Sequence, residues 1–293
     1  MTPAPSAPQS PLISTQALHD LLGAPDLRLF DTTVDLRPRL AGPGYDIASG
    51  RAGYDDAHLP GAGFIDVWQR LSDPDHALRF MLPSASLFAE RMSEYGVGPD
   101  SHVVLYNSGP TWWATRVYFM LREFGFDTVQ VMDGGLDKWK LERRPLSSEP
   151  VSYPRAQFVP GARRGLFVGK QAVLDAIQRR DRHLVNALSP AVFSGRVVGY
   201  GRAGRIAGSV NLPAAELLDP VTQAFLPLDQ LRAAFEARRL LDGRGTIAYC
   251  GGGISATTDA FALQLLGRGD LQIYDASMNE WGPDPSLPME RDP

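Results

Sequence analysis

The stretch "GTIAYCGGGISATTDAFALQLLGRGDLQIYDASMNEW", residues 245–281, decides the fold. It opens on a short apolar run with strand character, "TIAY". The only cysteine of the chain, Cys250, follows at once, then three glycines and a segment of helical character. A second apolar run, "LQIYD", closes it, with a tryptophan beyond. The earlier stretch "HVVLYNSGPTWWATRVYFMLREFGFDTVQVMDGGLDKW", residues 102–139, has the same order of parts. Laid over one another, Asn107 falls on Cys250, Gly125 on Gly267, Asp133 on Asp275 and Trp139 on Trp281. Further upstream, "AHLPGAGFID" (57–66) matches "GRIAGSVNLP" (204–213), and "LRLFDTT" (27–33) matches "RHLVNAL" (182–188). The chain reads as a tandem duplication.

Within each half, short apolar runs such as "LRLFD", "GFIDV", "HVVLY" and "TVQVMD" alternate with amphipathic stretches such as "SASLFAERMSEYG". Strands alternating with helices predict an α/β fold, with a mainly parallel sheet flanked by helices on both faces. Right-handed crossovers gather the loops after the strands at one edge, where open α/β sheets hold their sites. The predicted division is a disordered leader over 1–11, a first domain over 12–141, a linker over 142–165, a second domain over 166–288 and a tail over 289–293. The linker, "ERRPLSSEPVSYPRAQFVPGARRG", is rich in Pro and Ser and has no periodicity, so it is expected to wrap the surface.

Composition narrows the function. The 293 residues are 44% hydrophobic and 21% charged, with net charge −4 and pI about 5.7, which argues against a nucleic-acid partner. No apolar run approaches the ~20 residues that span a bilayer, so no membrane association is expected. The start, "MTPAPSAPQSPL", has neither a basic nor a long apolar region and does not read as a secretory signal. A single cysteine forms no internal disulfide and fits a cytoplasmic setting. The five histidines are scattered without i, i+4 pairing, so no metal is expected.

Most lone cysteines are buried filler. The setting of Cys250 argues for more. It stands at the carboxyl end of a predicted strand, and Gly251, Gly252 and Gly253 let the backbone curl with its N–H groups inward. Ser255 or Thr257 can open the helix, whose N-terminus adds partial positive charge beside the sulfur. Both effects stabilise a thiolate, the nucleophilic form, and equally an anionic persulfide. No "GK[ST]" follows the glycines, so a nucleotide P-loop is not indicated. A Cys-x5-Arg phosphatase loop is not indicated either, since the sixth residue after Cys250 is Ala256.

The duplicated halves, "HLPGA", "RIAGSVNLP", the strand–Cys–Gly loop and "GGLDKW" together resemble the two-domain rhodanese family of thiosulfate and 3-mercaptopyruvate sulfurtransferases. The resemblance implies that Cys250 is the nucleophile of a six-residue loop, Cys250, Gly251, Gly252, Gly253, Ile254 and Ser255. It implies a first domain inactive at Asn107 and a ping-pong cycle without cofactor, in which a persulfide on Cys250 passes sulfur to cyanide or a thiol. The implied partners are a small-molecule sulfur donor and acceptor, with a thioredoxin-like reductant as a protein candidate.

Departures from the family pattern bear on the donor. Thiosulfate enzymes often carry basic residues directly after the cysteine, and this loop has only glycines. Mercaptopyruvate enzymes typically read Gly, Ser or Thr, Gly, where this chain has Gly252 in the middle. They also have an arginine just before the position of Phe193, where this chain has Val192. His58 matches the histidine of the family's proposed relay and is the candidate interdomain contributor. Arg196, Arg202 and Arg205 are the candidate cations for the donor; Arg205 stands where many relatives have histidine. Asp275 is expected to satisfy backbone groups near the loop, and Trp112 and Trp113 to pack at the domain interface or core. The sequence thus favours thiosulfate as donor, with 3-mercaptopyruvate, or a non-catalytic sulfur-binding module, as the other readings.

Overall fold

A computed structural model describes residues 10–38 and 45–292. The leader expected over 1–11 lies, as far as residue 9, outside the described residues. In the first half the strands are β1 (Leu12–Ile13), β2 (Leu27–Asp31), β3 (Val34–Pro38), β4 (Tyr45–Ser49), β5 (Gly63–Phe64), β6 (His102–Tyr106) and β7 (Val129–Met132). The helices there are α1 (Thr15–Leu21), α2 (Arg51–Asp56), α3 (Ala85–Glu94), α4 (Trp112–Glu123) and α5 (Gly135–Leu141). The second half holds β8 (Phe167–Val168), β9 (Arg182–Asn186), β10 (Arg205–Ile206), β11 (Val210–Asn211), β12 (Gly245–Tyr249), β13 (Leu271–Tyr274) and β14 (Met289–Glu290). Its helices are α6 (Lys170–Arg179), α7 (Pro190–Phe193), α8 (Leu228–Glu236), α9 (Ala256–Leu265) and α10 (Ser277–Trp281).

Each half builds a five-stranded sheet in which every pairing is parallel, in the orders β1-β7-β6-β2-β5 and β8-β13-β12-β9-β11. Strand for strand the two orders are the same, as a duplication requires. The paired tryptophans also match: Trp139 donates to the Pro145 carbonyl at 2.7 Å and Trp281 to the Pro288 carbonyl at 3.1 Å.

Alternation along the strands sends side chains to two layers. Leu27, Leu29, Val104 and Tyr106 pack with Leu18, Leu136 and Trp139 on the outer face of the first sheet. Leu184, Ile247, Tyr249 and Tyr274 do the same with Val173 and Trp281 in the second. The opposite faces share one core. Val103 and Leu105 reach it from β6, Ala248 and Cys250 from the end of β12, and Val117, Phe119 and Phe261 from α4 and α9. Helices α4 and α9 pack against one another, so the interface is built by the two helices that follow the equivalent Asn107 and Cys250 loops.

The stretch 142–165 is strapped to the first domain. Phe158 is buried against Phe88 and Phe126, the Tyr153 hydroxyl donates to the Gly61 carbonyl at 2.7 Å, and Ser147 bridges to His58. The segment beginning at Met289 is β14, antiparallel to β10, because Met289 has the core below Ile206 to cover. An antiparallel hairpin, β3–β4, leaves the first sheet and has no equivalent in the second half among the described residues.

Candidate active site

Strand β12 is buried along its whole length and ends at Cys250, which is 2% exposed. The cysteine is fixed through its backbone. Its N–H donates to Ser277 Oγ at 3.0 Å, its carbonyl accepts from Met278 N at 3.1 Å, and the Gly251 carbonyl accepts from Asn279 N at 2.8 Å. The start of α10 therefore braces the loop. Ser255 is the residue before α9 and makes no side-chain cap, while Thr257 Oγ1 donates to the Ile254 carbonyl at 2.6 Å.

The three glycines have different reasons. A Cβ on Gly251 would overlap the Tyr200 hydroxyl. Gly253 has φ +72°, and a Cβ there would overlap the Asp275 carbonyl. At Gly252 a Cβ would meet only the end of the Asn279 side chain, its Nδ2 at 2.8 Å. Glycine is thus required at 251 and 253, and by a movable neighbour alone at 252.

The first domain reaches into the loop. Arg116 of α4 is 1% exposed and donates to the Gly253 carbonyl at 3.2 Å, to Asp275 Oδ1 at 2.6 Å and to the Phe80 carbonyl at 2.5 Å. Asp275 Oδ2 accepts from Leu82 N at 2.9 Å, so Asp275 serves backbone as well as the arginine. Thr115 and Thr257 share a 2.7 Å hydrogen bond across the interface. The arrangement has a mirror in the first domain, where Asp133, the equivalent of Asp275, accepts from Phe225 N at 2.9 Å. Trp113 is buried against Phe80, with ring centroids 5.0 Å apart, and Trp112 is half-buried beside Thr257.

A cavity of about 390 Å³ opens over the loop. Gly251, Gly252 and Ile254 line it, facing Leu36 and Ile47 of the β3–β4 hairpin, and Phe80 and Trp113. Four polar side chains also line it: Tyr45, Arg79, Tyr200 and Asn279. Among the described residues, the Arg79 guanidinium has no ion pair, and neither the Tyr200 hydroxyl nor the Asn279 amide has a hydrogen-bond partner. Burial, with the nearby Cys250 sulfur adding to it, pushes the Tyr200 phenol well above the usual tyrosine range, so it remains a neutral donor. Behind the loop, Asp259 of α9 is fully buried with both oxygens unpartnered; burial first, and Cys250 second, push its carboxyl well up, and it is held neutral.

The structure brings Cys250, Gly251, Gly252, Gly253, Ile254 and Ser255 together as one loop. Arg196, Arg202 and Arg205 do not line this cavity. Arg202 gives its guanidinium to the carbonyls of Trp281, Gly282, Asp284 and Leu287. Arg205 pairs with Asp292 at 2.7 Å and lies over the Phe193 ring. Arg196 lies in a separate surface cleft beside Phe193 and Arg291, with Nε on Ser194 Oγ at 3.2 Å. His58 is fully buried inside the first domain, stacked on Tyr54. Its ring nitrogens lie 2.7 Å and 3.0 Å from the Tyr54 and Glu149 carbonyls. Arg79, Tyr200 and Asn279 were not singled out from the sequence. Each sits in a non-periodic segment or on a short helix far from Cys250 in the chain.

Comparison with known proteins agrees with this architecture. The family model for the rhodanese-like domain matches twice, over residues 14–142 and 170–284. The chain is 32% identical over 278 residues to 3-mercaptopyruvate sulfurtransferase of Escherichia coli, covering 93% of this chain and 95% of that protein. It is 33% identical over 281 residues to thiosulfate sulfurtransferase of Bos taurus, covering 92% and 91%. The crystal structure of the Escherichia coli 3-mercaptopyruvate enzyme superposes with a TM-score of 0.79 at 29% identity, covering 92% of this chain and 99% of that one. No helix among the described residues is long and apolar enough to cross a membrane. With one rhodanese-like domain in each half and relatives that match along most of its length, the chain belongs to the two-domain rhodanese family of thiosulfate and 3-mercaptopyruvate sulfurtransferases.

Proposed function

We propose that the chain takes the outer sulfur of thiosulfate onto Cys250 as a persulfide and passes it to cyanide or a thiol. Arg79 is the cation that draws the donor dianion, and Asn279 supplies an amide donor beside Gly252. The observation that carries the choice of donor is the set of polar groups at the cavity, a guanidinium, two phenols and an amide, with glycine rather than a hydroxyl residue at position 252. Thiosulfate leaves as sulfite, a stable anion that needs no proton. Sulfur loss from 3-mercaptopyruvate leaves a carbon base that does. The family's relay to such a donor runs through a hydroxyl at the Gly252 position and the histidine at the His58 position. Here the first is absent, and the second has both ring nitrogens facing backbone carbonyls.

The relatives support a sulfurtransferase of either kind, since both donor classes occur at the same level of identity. Steady-state rates with the two donors side by side, cyanide as acceptor, test the reading. A higher kcat/KM for thiosulfate is expected. Much faster turnover of 3-mercaptopyruvate would assign the chain to the other branch.

A further inference from the structure

Tyr200 stands where neither repeat symmetry nor the loop sequence calls for a functional group. Its hydroxyl rests against the Cα of Gly251, the residue after the nucleophile, so closely that no side chain fits there. It lines the cavity and has no hydrogen-bond partner among the described residues. The segment carrying it is held firmly. The Tyr200 carbonyl accepts from Arg202 N at 2.9 Å, and a Cβ at Gly282 would overlap that carbonyl. Arg202 then ties the segment to four carbonyls between Trp281 and Leu287. An arginine fully engaged with backbone thus secures a hydroxyl that opens onto the cavity.

We propose that Tyr200 is a catalytic residue of the sulfur-transfer step, a neutral hydrogen-bond donor to the negative charge that builds on the departing group. The inference rests on the persulfide reading above. In the step, the Cys250 thiolate attacks the outer sulfur of thiosulfate and a new S–S bond forms. The bond between the two thiosulfate sulfurs breaks, and its electron pair leaves with sulfite. One thiolate and one dianion give one persulfide anion and one dianion. No proton is transferred and no oxidant or reductant enters, so the phenol needs only to donate its hydrogen bond as charge shifts. A preorganised donor aimed at developing charge beside the nucleophile acts mainly on the transition state.

The test is rapid-quench sulfite release from thiosulfate in a single turnover, comparing wild type, Tyr200→Phe and a series with fluorinated tyrosine at position 200. Tyr200→Phe should slow the limiting rate roughly 10- to 100-fold, with the half-saturating thiosulfate concentration changed by less than about threefold. Across the fluorinated series the rate should track phenol acidity, which a merely packing role would not produce. Wild-type bursts with an equally fast Tyr200→Phe overturn the inference while leaving the persulfide reading in place. Absence of any burst in wild type overturns that reading and this inference together. Loss of the burst through misfolding of Tyr200→Phe shows as a changed circular dichroism spectrum. The fluorinated series, which keeps the hydroxyl, then decides: rates that do not respond to acidity overturn the proposal.

Discussion

Replacing Arg116 by methionine should loosen both the domain interface and the catalytic loop. The side chain is 1% exposed and its partner Asp275 has 10% of its side chain exposed, so the ion pair lies in a poorly hydrated place. Methionine keeps much of the packing against Phe167, over whose ring the guanidinium sits at 4.5 Å. It removes the donors to Asp275, to the Gly253 carbonyl and to the Phe80 carbonyl. Breaking a buried pair from one side typically costs about 3–5 kcal/mol, because the other charge stays behind. Asp275 retains the Leu82 N–H and a little solvent, which places the expectation near the lower end. Loss of about 3 kcal/mol corresponds to a fall in melting temperature on the order of 10 °C. Asp275→Asn in the same molecule removes the stranded charge and should recover part of the loss, a coupling read from the double-mutant cycle. The assay is thermal and urea unfolding by tryptophan fluorescence, with turnover measured well below the transition. Activity should fall as well, since Gly253 and the loop lose their brace from the first domain. A single variant that melts within a degree or two of wild type, with full activity, would refute the reasoning.

Gly252→Lys should lower the KM for thiosulfate by about tenfold, one well-placed charge-assisted contact being worth roughly 1.5–3 kcal/mol; the Asn279 side chain has only to swing aside, and an unchanged or raised KM counts against the geometry. In a Cys250→Ser background, Asn107→Cys should form no active persulfide. The asparagine side chain holds its own loop by accepting from Ala114 N at 3.1 Å and donating to the Ser108 and Pro110 carbonyls at 2.8 Å; turnover by that thiol would contradict this. Burial pushes the Asp31 carboxyl up to about 6, against opposing hydrogen bonds from Thr33. Folding therefore favours the protonated acid. The stability this contributes is full below the unfolded value near ~3.9 and is lost as pH rises through about 6, by up to roughly 3 kcal/mol. Asp31→Asn should flatten that dependence and stabilise the protein near pH ~8 by about 1–3 kcal/mol; equal slopes for the two proteins in urea titrations across that range would exclude it.

The duplication made the fold legible. Landmarks such as Trp139 and Trp281 recur because each half closes the same sheet, and a strand ending in cysteine before glycines already marks the sheet's carboxyl edge. The β3–β4 hairpin had a weak signal in the alternation of Val34 and Leu36 with Asp35 and Arg37, which a pair of short strands shares with many loops. The donor-side residues were hidden for a different reason. Loop arginines look alike in sequence, and only the fold decides which one is free. Arg202 and Arg205 find carbonyls and carboxylates in their own domain, whereas Arg79 reaches the cavity from the first domain and finds none among the described residues. His58 matched a motif, but burial among backbone carbonyls is a tertiary fact with no local signature.

The central claim is that Cys250 carries the sulfur. Intact-protein and peptide mass spectrometry after thiosulfate treatment tests it directly. The account predicts the added mass of one sulfur atom on the Cys250 peptide, its loss on addition of cyanide with formation of thiocyanate, and no gain in Cys250→Ser. Thiocyanate production by Cys250→Ser, or wild-type turnover with Cys250 never modified, would contradict it.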